Sequence, residues 1–385
     1  MTEIMSSRIA IFCAAISVGI VIVESASAGP REQAKRIHDR LTGTPPSASV
    51  LDTMAASISA NNPKAAANIA LANSAFYGVT LKNMVTPWTN RDQTVFEPLN
   101  DYTATVIGMI RDDVPFTEAL SADIVYVGGS SLGVPAYSMV NNDHYEALEG
   151  IGADLKAVLV RTTQSAVTDL PVEATAGLMS TRAGAKAFFV AGTNRAMLRF
   201  TLMNHLCNDL EQVKDVTRPP DRIRQDVTRS PGGDSRIFLN ACVGCHSGMD
   251  PLAQAFAYYD FDETLGRIVY NGVGFVDPDT ATRVQGKYLI NADSFPYGYV
   301  TTDDRWDNYW RVGQNAALGW NTTLASTGNG AKSMGIELAQ SDAFARCQVK
   351  KVFKTVCLRE PTDANDVSKF DQIVATFKAS NYNMK

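Results

Sequence analysis

Histidine is scarce in this chain: His38, His144, His205 and His246 are the only four in 385 residues. So few imidazoles exclude metal chemistry built from clusters of histidine. Cysteine is nearly as rare, with Cys13, Cys207, Cys242, Cys245, Cys347 and Cys357. That is far too few for a small disulfide-stapled scaffold. Blocks of basic residues are missing and the formal net charge is −5, which argues against nucleic acid or an anionic membrane surface as the main partner. No apolar run after residue 23 is long enough to span a bilayer, and there is no internal repeat or low-complexity tract. With 45% apolar and 19% charged residues, the rest has the composition of an ordinary globular protein.

The amino terminus is the exception. Arg8 precedes an almost unbroken apolar run over residues 9–23, and Ala26-Ser27-Ala28 has the small-x-small pattern of a signal-peptidase site. The run is shorter than the ~20 residues of a membrane span. Residues 1–28 are therefore expected to be a signal peptide, and the protein to be periplasmic or extracellular, with no integral membrane segment after cleavage. Five cysteines then remain in a compartment that permits disulfides.

The pattern downstream predicts a mainly α protein in two parts: a helical region over 29–190 of unknown role, then residues 191–385. Helical spacing is visible over 29–60, broken at Pro45-Pro46, and again over 63–76 and Asp101–Arg111. A short strand is expected at Asp123–Val127, and a loop over 128–150. Asn194–Val213 is the clearest helix, with Leu198, Leu202, Leu206 and Leu210 four residues apart. Residues 268–333 are rich in Gly, Asn, Asp and Thr but contain Trp306, Trp310 and Trp320, which predicts long ordered loops. Helical spacing returns over 335–357 and 363–379.

The chemistry is concentrated in Asn240-Ala-Cys-Val-Gly-Cys-His-Ser-Gly-Met-Asp250. Haem c attachment needs two thiols to add across two vinyl groups and an imidazole to reach the iron. Cys-x-x-Cys-His meets that need at Cys242, Cys245 and His246. At this composition the pattern would arise by chance roughly 0.001 times. A thioredoxin-like redox pair should sit between a strand and a helix in a βαβ unit, and Pro231-Gly232-Gly233 and Asp250-Pro251 do not fit one. A structural zinc site needs a second Cys or His pair at a suitable spacing. Cys347 and Cys357, about 15 Å apart along one helix, cannot form it. The reading is one covalent haem c. Asp250, or the backbone near Pro251, is the expected acceptor for the second ring nitrogen of His246.

With its flanks, Cys242-Val-Gly-Cys-His-Ser-Gly-Met-Asp-Pro-Leu252 followed by Tyr258-Tyr-Asp-Phe-Asp-Glu-Thr-Leu-Gly-Arg267 resembles the Cys-x-x-Cys-His-x-x-x-Asp-Pro-Leu…Phe-Asp…Gly-Arg pattern of planctomycete-type cytochrome c-like proteins. Weaker likenesses occur in Arg111–Val127 and Ser341–Glu360, and in Leu206-Cys207 ahead of Pro219-Pro220. One departure is Cys357-Leu358-Arg359, where that family has Leu-Gly-Arg and a glycine to end the helix. The resemblance implies an exported haem c protein built of domains of unknown function, with a cytochrome c-like haem domain over 191–385. It leaves the reaction open.

The sixth iron ligand has several candidates. Met334, before the terminal helices, is one; His205, His144 and His38 are others, and an open position is a third possibility. Met249 is expected to pack rather than ligate. Arg267 is a candidate partner for a haem propionate. Cys207 is expected to pair with Cys347, with Cys357 as rival, unless the thiols stay free and buried. Gly129-Ser-Ser-Leu-Gly133 matches the Gly-x-Ser-x-Gly elbow of hydrolases, but Val134-Pro135 follows where a helix should open. The expected function is electron transfer through one covalent haem, with a redox partner protein. The alternatives are a peroxidase- or oxidase-like haem enzyme with an open sixth position, or a haem-bearing subunit of a surface complex.

Overall fold

The computed structural model describes residues 28–190 and 192–385, so the predicted signal peptide lies outside the described residues except for Ala28. The chain is mainly helical, with 55% helix and few short strands. Three helices, Pro30–Thr42, Ala48–Ser59 and Pro63–Leu71, pack pairwise around Ala34, Met54, Ala66 and Ala70. Ser47 caps the second by accepting from the Val50 N–H, which fits the break at Pro45-Pro46. The main apolar cluster runs from Phe76 to Phe377 and so draws on both sides of residue 190.

Helix Asp101–Arg111 lies at the centre of this cluster and is buried all round from Asp101 to Ile110, not on one face. Gly108 makes this possible: a Cβ there would lie 2.2 Å from the ring of Tyr126. At its first turn, the buried Asp101 carboxylate accepts from the backbone N–H groups of Arg182 (2.6 Å) and Ala183 (3.0 Å), joining two helix starts.

Three antiparallel strand pairs decorate the helices. Val125–Gly128 pairs with Leu159–Thr162, Tyr259–Asp262 with Arg267–Tyr270, and Arg305–Asp307 with Thr327–Asn329. The loop expected over 128–150 contains a helix, Asp143–Gly150, because His144, Tyr145 and Leu148 form a buried face. In 268–333 the tryptophans are buried, and Trp320 Nε1 donates to the carbonyls of Trp310 and Asn315, both at 2.9 Å.

Two expected helices are interrupted. Asn194–Val213 divides into Arg195–Thr201, a widened turn over Leu202–Leu206, and a last turn over Leu210–Val213. Cys207 takes a left-handed conformation (φ 55°) where it is tied by a disulfide to Cys347, and Asp209 with Gln212 forms a capping box that starts the last turn afresh. Residues 335–357 divide at Gln340-Ser341 into Gly330–Ala339 and Asp342–Cys357, because Ser341 caps the second helix. Cys357 is an exposed free thiol.

Helix Asp342–Cys357 ends with Leu358 at φ 54°, the left-handed position that glycine fills at no steric cost. Leu358 is also exposed, so its side chain offers little in return. Leu358→Gly is expected to raise stability by about 1 kcal/mol, read as a higher urea midpoint at unchanged slope. A lower midpoint would mean that the leucine makes a contact worth more than the strain.

Candidate functional site

Cys242 ends a widened turn over Phe238–Cys242, and the helix Val243–Ala253 continues from it. At 100° per residue, Cys242, Cys245 and His246 project from one side of this helix. All three are partly exposed, whereas Val243, Gly244 and Ser247–Ala253 are buried. Cys242 and Cys245 are free thiols. Cys242 packs beside Ile223, Phe238 and Val243. Cys245 Sγ donates to the Leu210 carbonyl at 3.6 Å, and burial, reinforced by Glu211, raises its pKa. The segment before Val216 is pinned to the motif by the Asp215 N–H, which donates to the Gly244 carbonyl at 2.9 Å.

His246 Nδ1 lies 3.1 Å from Asp250 Oδ1, four residues on along the same helix. Asp250 is wholly buried and is held by two arginines. Arg195 Nε and Nη2 donate to its two oxygens at 2.7 and 2.9 Å, while Nη1 and Nη2 of the same guanidinium grip Asp226 at 2.5 and 2.9 Å. Arg224 adds its backbone N–H at 3.3 Å and its guanidinium at 3.7 Å. Burial opposes the charge on Asp250, but Arg195, Arg224 and His246 outweigh it and hold the carboxyl well below the usual range. An ionised Asp250 accepts a hydrogen bond from the Nδ1–H of His246, which makes Nε2 the nitrogen able to bind a metal.

Trp310 closes the buried side of the helix. A Cβ at Gly248 would lie 1.9 Å from its Nε1, so the indole rests directly on the glycine. That buried Nε1, with Nε and Nη1 of Arg224, finds no hydrogen-bond partner among the described residues. Two free thiols and an imidazole on one helix face supply the attachment atoms for haem, which brings two vinyl groups and an iron. The donor set therefore fits the group.

The other predicted residues lie elsewhere. Met334 is fully buried in the main apolar cluster, on a helix packed against Phe116–Leu120 and Gln254–Phe256. Met249 is buried there too. His205 is buried among Trp88, Tyr102 and Phe344 and shares a 2.8 Å hydrogen bond with the Tyr102 hydroxyl. Burial, with help from Lys351, keeps it neutral by lowering its pKa well below the usual value. His144 accepts from the Gly128 N–H through Nε2 and bonds the Pro135 carbonyl through Nδ1, so it ties down the loop that carries Ser131. With both nitrogens committed, it is not placed to act as base for that serine. His38 bonds the Thr44 carbonyl at 2.9 Å within the amino-terminal helices. Arg267 pairs with Asp169.

Sequence reasoning missed Arg195, Arg224, Asp226 and Trp310. None carries a local signal, because each lies at least fourteen positions outside residues 240–250. No family model, no curated protein and no solved structure matches this chain.

Asp250 has a depressed folded-state pKa, so its stabilising effect is complete above the unfolded carboxyl value, about 3.9, and fades as pH falls toward the folded value. Asp250→Asn keeps the shape but leaves Arg195 partly uncompensated. It is expected to cost about 3–5 kcal/mol at neutral pH and to flatten the acid limb of stability below about pH 4. Denaturant midpoints between pH 2 and 7 for both proteins would check this. An unchanged midpoint at neutral pH would refute the role given to the network.

Proposed function

We propose that this protein is an exported monohaem c-type cytochrome-like protein that transfers electrons to or from a redox partner, with residues 191–385 as the cytochrome c-like part. One observation carries the reading. Cys242, Cys245 and His246 share one partly exposed helix face, with both thiols free and His246 anchored through Nδ1 on a buried, charge-held Asp250. Cys242 and Cys245 would hold the haem as thioethers, and His246 would ligate the iron through Nε2. When bound, the haem iron would carry one electron at a time. Asp250 and Arg195 keep the imidazole oriented and its outer nitrogen basic. A periplasmic or extracellular location rests on residues 1–28 of the sequence; no helix among the described residues is long and apolar enough to cross a membrane.

The second reading, a haem redox enzyme with an open sixth position, is favoured by the places of the remaining candidates. His38, His144 and His205 are hydrogen-bonded inside the fold, and Met334 is enclosed in the apolar cluster. Met334 remains the candidate distal ligand of the carrier reading.

The protein should be produced in a bacterium that attaches haem c and exports it. A pyridine-haemochrome assay is expected to report one covalent haem per chain, and Cys242→Ser with Cys245→Ser to abolish it. Folded, exported protein without covalent haem would overturn the proposal. Rapid binding of carbon monoxide by the reduced wild type would select the enzyme reading. Inertness that Met334→Ala relieves would select the carrier with Met334 as ligand.

A further inference from the structure

A groove of about 630 Å³ lies far along the chain from the cysteine motif, where the amino-terminal helices meet the end of helix Asp342–Cys357 and the chain terminus. Its volume falls within the roughly 300–1,000 Å³ of small-molecule sites. Its apolar lining includes Ile37, Leu41, Leu71, Phe76, Leu81 and Met84. Val352 and Val356 also line it. The charged lining is of one sign: Arg36, Arg40, Arg359 and Lys385 are all present, and no aspartate or glutamate is.

Arg359 is partnered by Asp366, and Lys385 by Asp113, both outside the lining. Arg36 and Arg40 form no ion pair among the described residues. They stand four residues apart on helix Pro30–Thr42, beside Ile37 and Leu41 of the apolar lining. Asp39, their nearest acid in sequence, pairs with Lys35. An apolar pocket whose lining includes two guanidiniums without ion pairs suits an occupant that is apolar along its length and anionic at one end. A guanidinium fork matches a carboxylate with two parallel hydrogen bonds.

We propose that this groove binds one long-chain fatty carboxylate, its acyl chain along Leu71, Phe76, Leu81 and Met84 and its head group at Arg36 and Arg40. The site is independent of haem attachment and stands or falls separately from it. Cys357 lines the same groove with an exposed thiol, so occupancy can be followed directly.

Isothermal titration of the purified protein with palmitate below its aggregation concentration is expected to show one saturable site. Shortening the acid by two carbons is expected to weaken binding roughly tenfold, as methylene burial requires. Arg36→Glu with Arg40→Glu, on a solvent-facing edge, is expected to weaken it by about tenfold or more with an unchanged melting temperature. Palmitate is also expected to slow alkylation of Cys357 in the wild type, read by peptide mass. Absence of binding by the wild type would overturn the proposal. So would equal affinity for hexadecylammonium, or an affinity that the charge reversal leaves unchanged.

Discussion

The grip of Arg195 on Asp250 is the interaction on which the motif depends. Asp250 has no solvent to stabilise its charge, so a carboxylate there is tolerable only with cations at hydrogen-bonding distance. Arg195 meets that need with a bidentate contact and uses its remaining edge on Asp226. Because Asp250 stays ionised, His246 has a fixed acceptor for Nδ1, and its tautomer is set from below the helix surface. The exposed face can then be reactive while its support stays rigid.

That support reaches well beyond the motif helix. Trp310 packs on Gly248 from the long loop region, and the indole of Trp320 holds the Trp310 backbone in turn. The disulfide between Cys207 and Cys347 joins segments 140 residues apart, beside the buried His205. Closing so long a loop stabilises a fold by a few kcal/mol, mostly by limiting the unfolded chain. The left-handed Cys207 also ends the widened turn early, which allows Asp209 to restart the chain beneath Cys245.

Much of the helical content was legible from spacing and punctuation. Pro45-Pro46 marked a true boundary, and Asp101–Arg111 was bounded as expected. The misses share one cause. Leucines four residues apart over Asn194–Val213 indicate a buried stripe, but they do not reveal that a distant cysteine bends the chain. His205 lies off that stripe and reads as exposed, yet other elements cover it with Trp88 and Phe344. Leu358 is left-handed without being glycine, a conformation that no spacing of apolar residues announces.

The sequence by itself determined the arrangement of Cys242, Cys245 and His246 on one helix face, and the reach of His246 to Asp250. Both follow from spacings of three and four residues, and a helix converts such spacings into fixed geometry. Only the tertiary structure decided what surrounds them: which arginines keep Asp250 charged, which indole covers Gly248, and which histidines are already committed elsewhere. These partners are brought together by burial of apolar surface, a force without direction that leaves no local mark on the residues it unites.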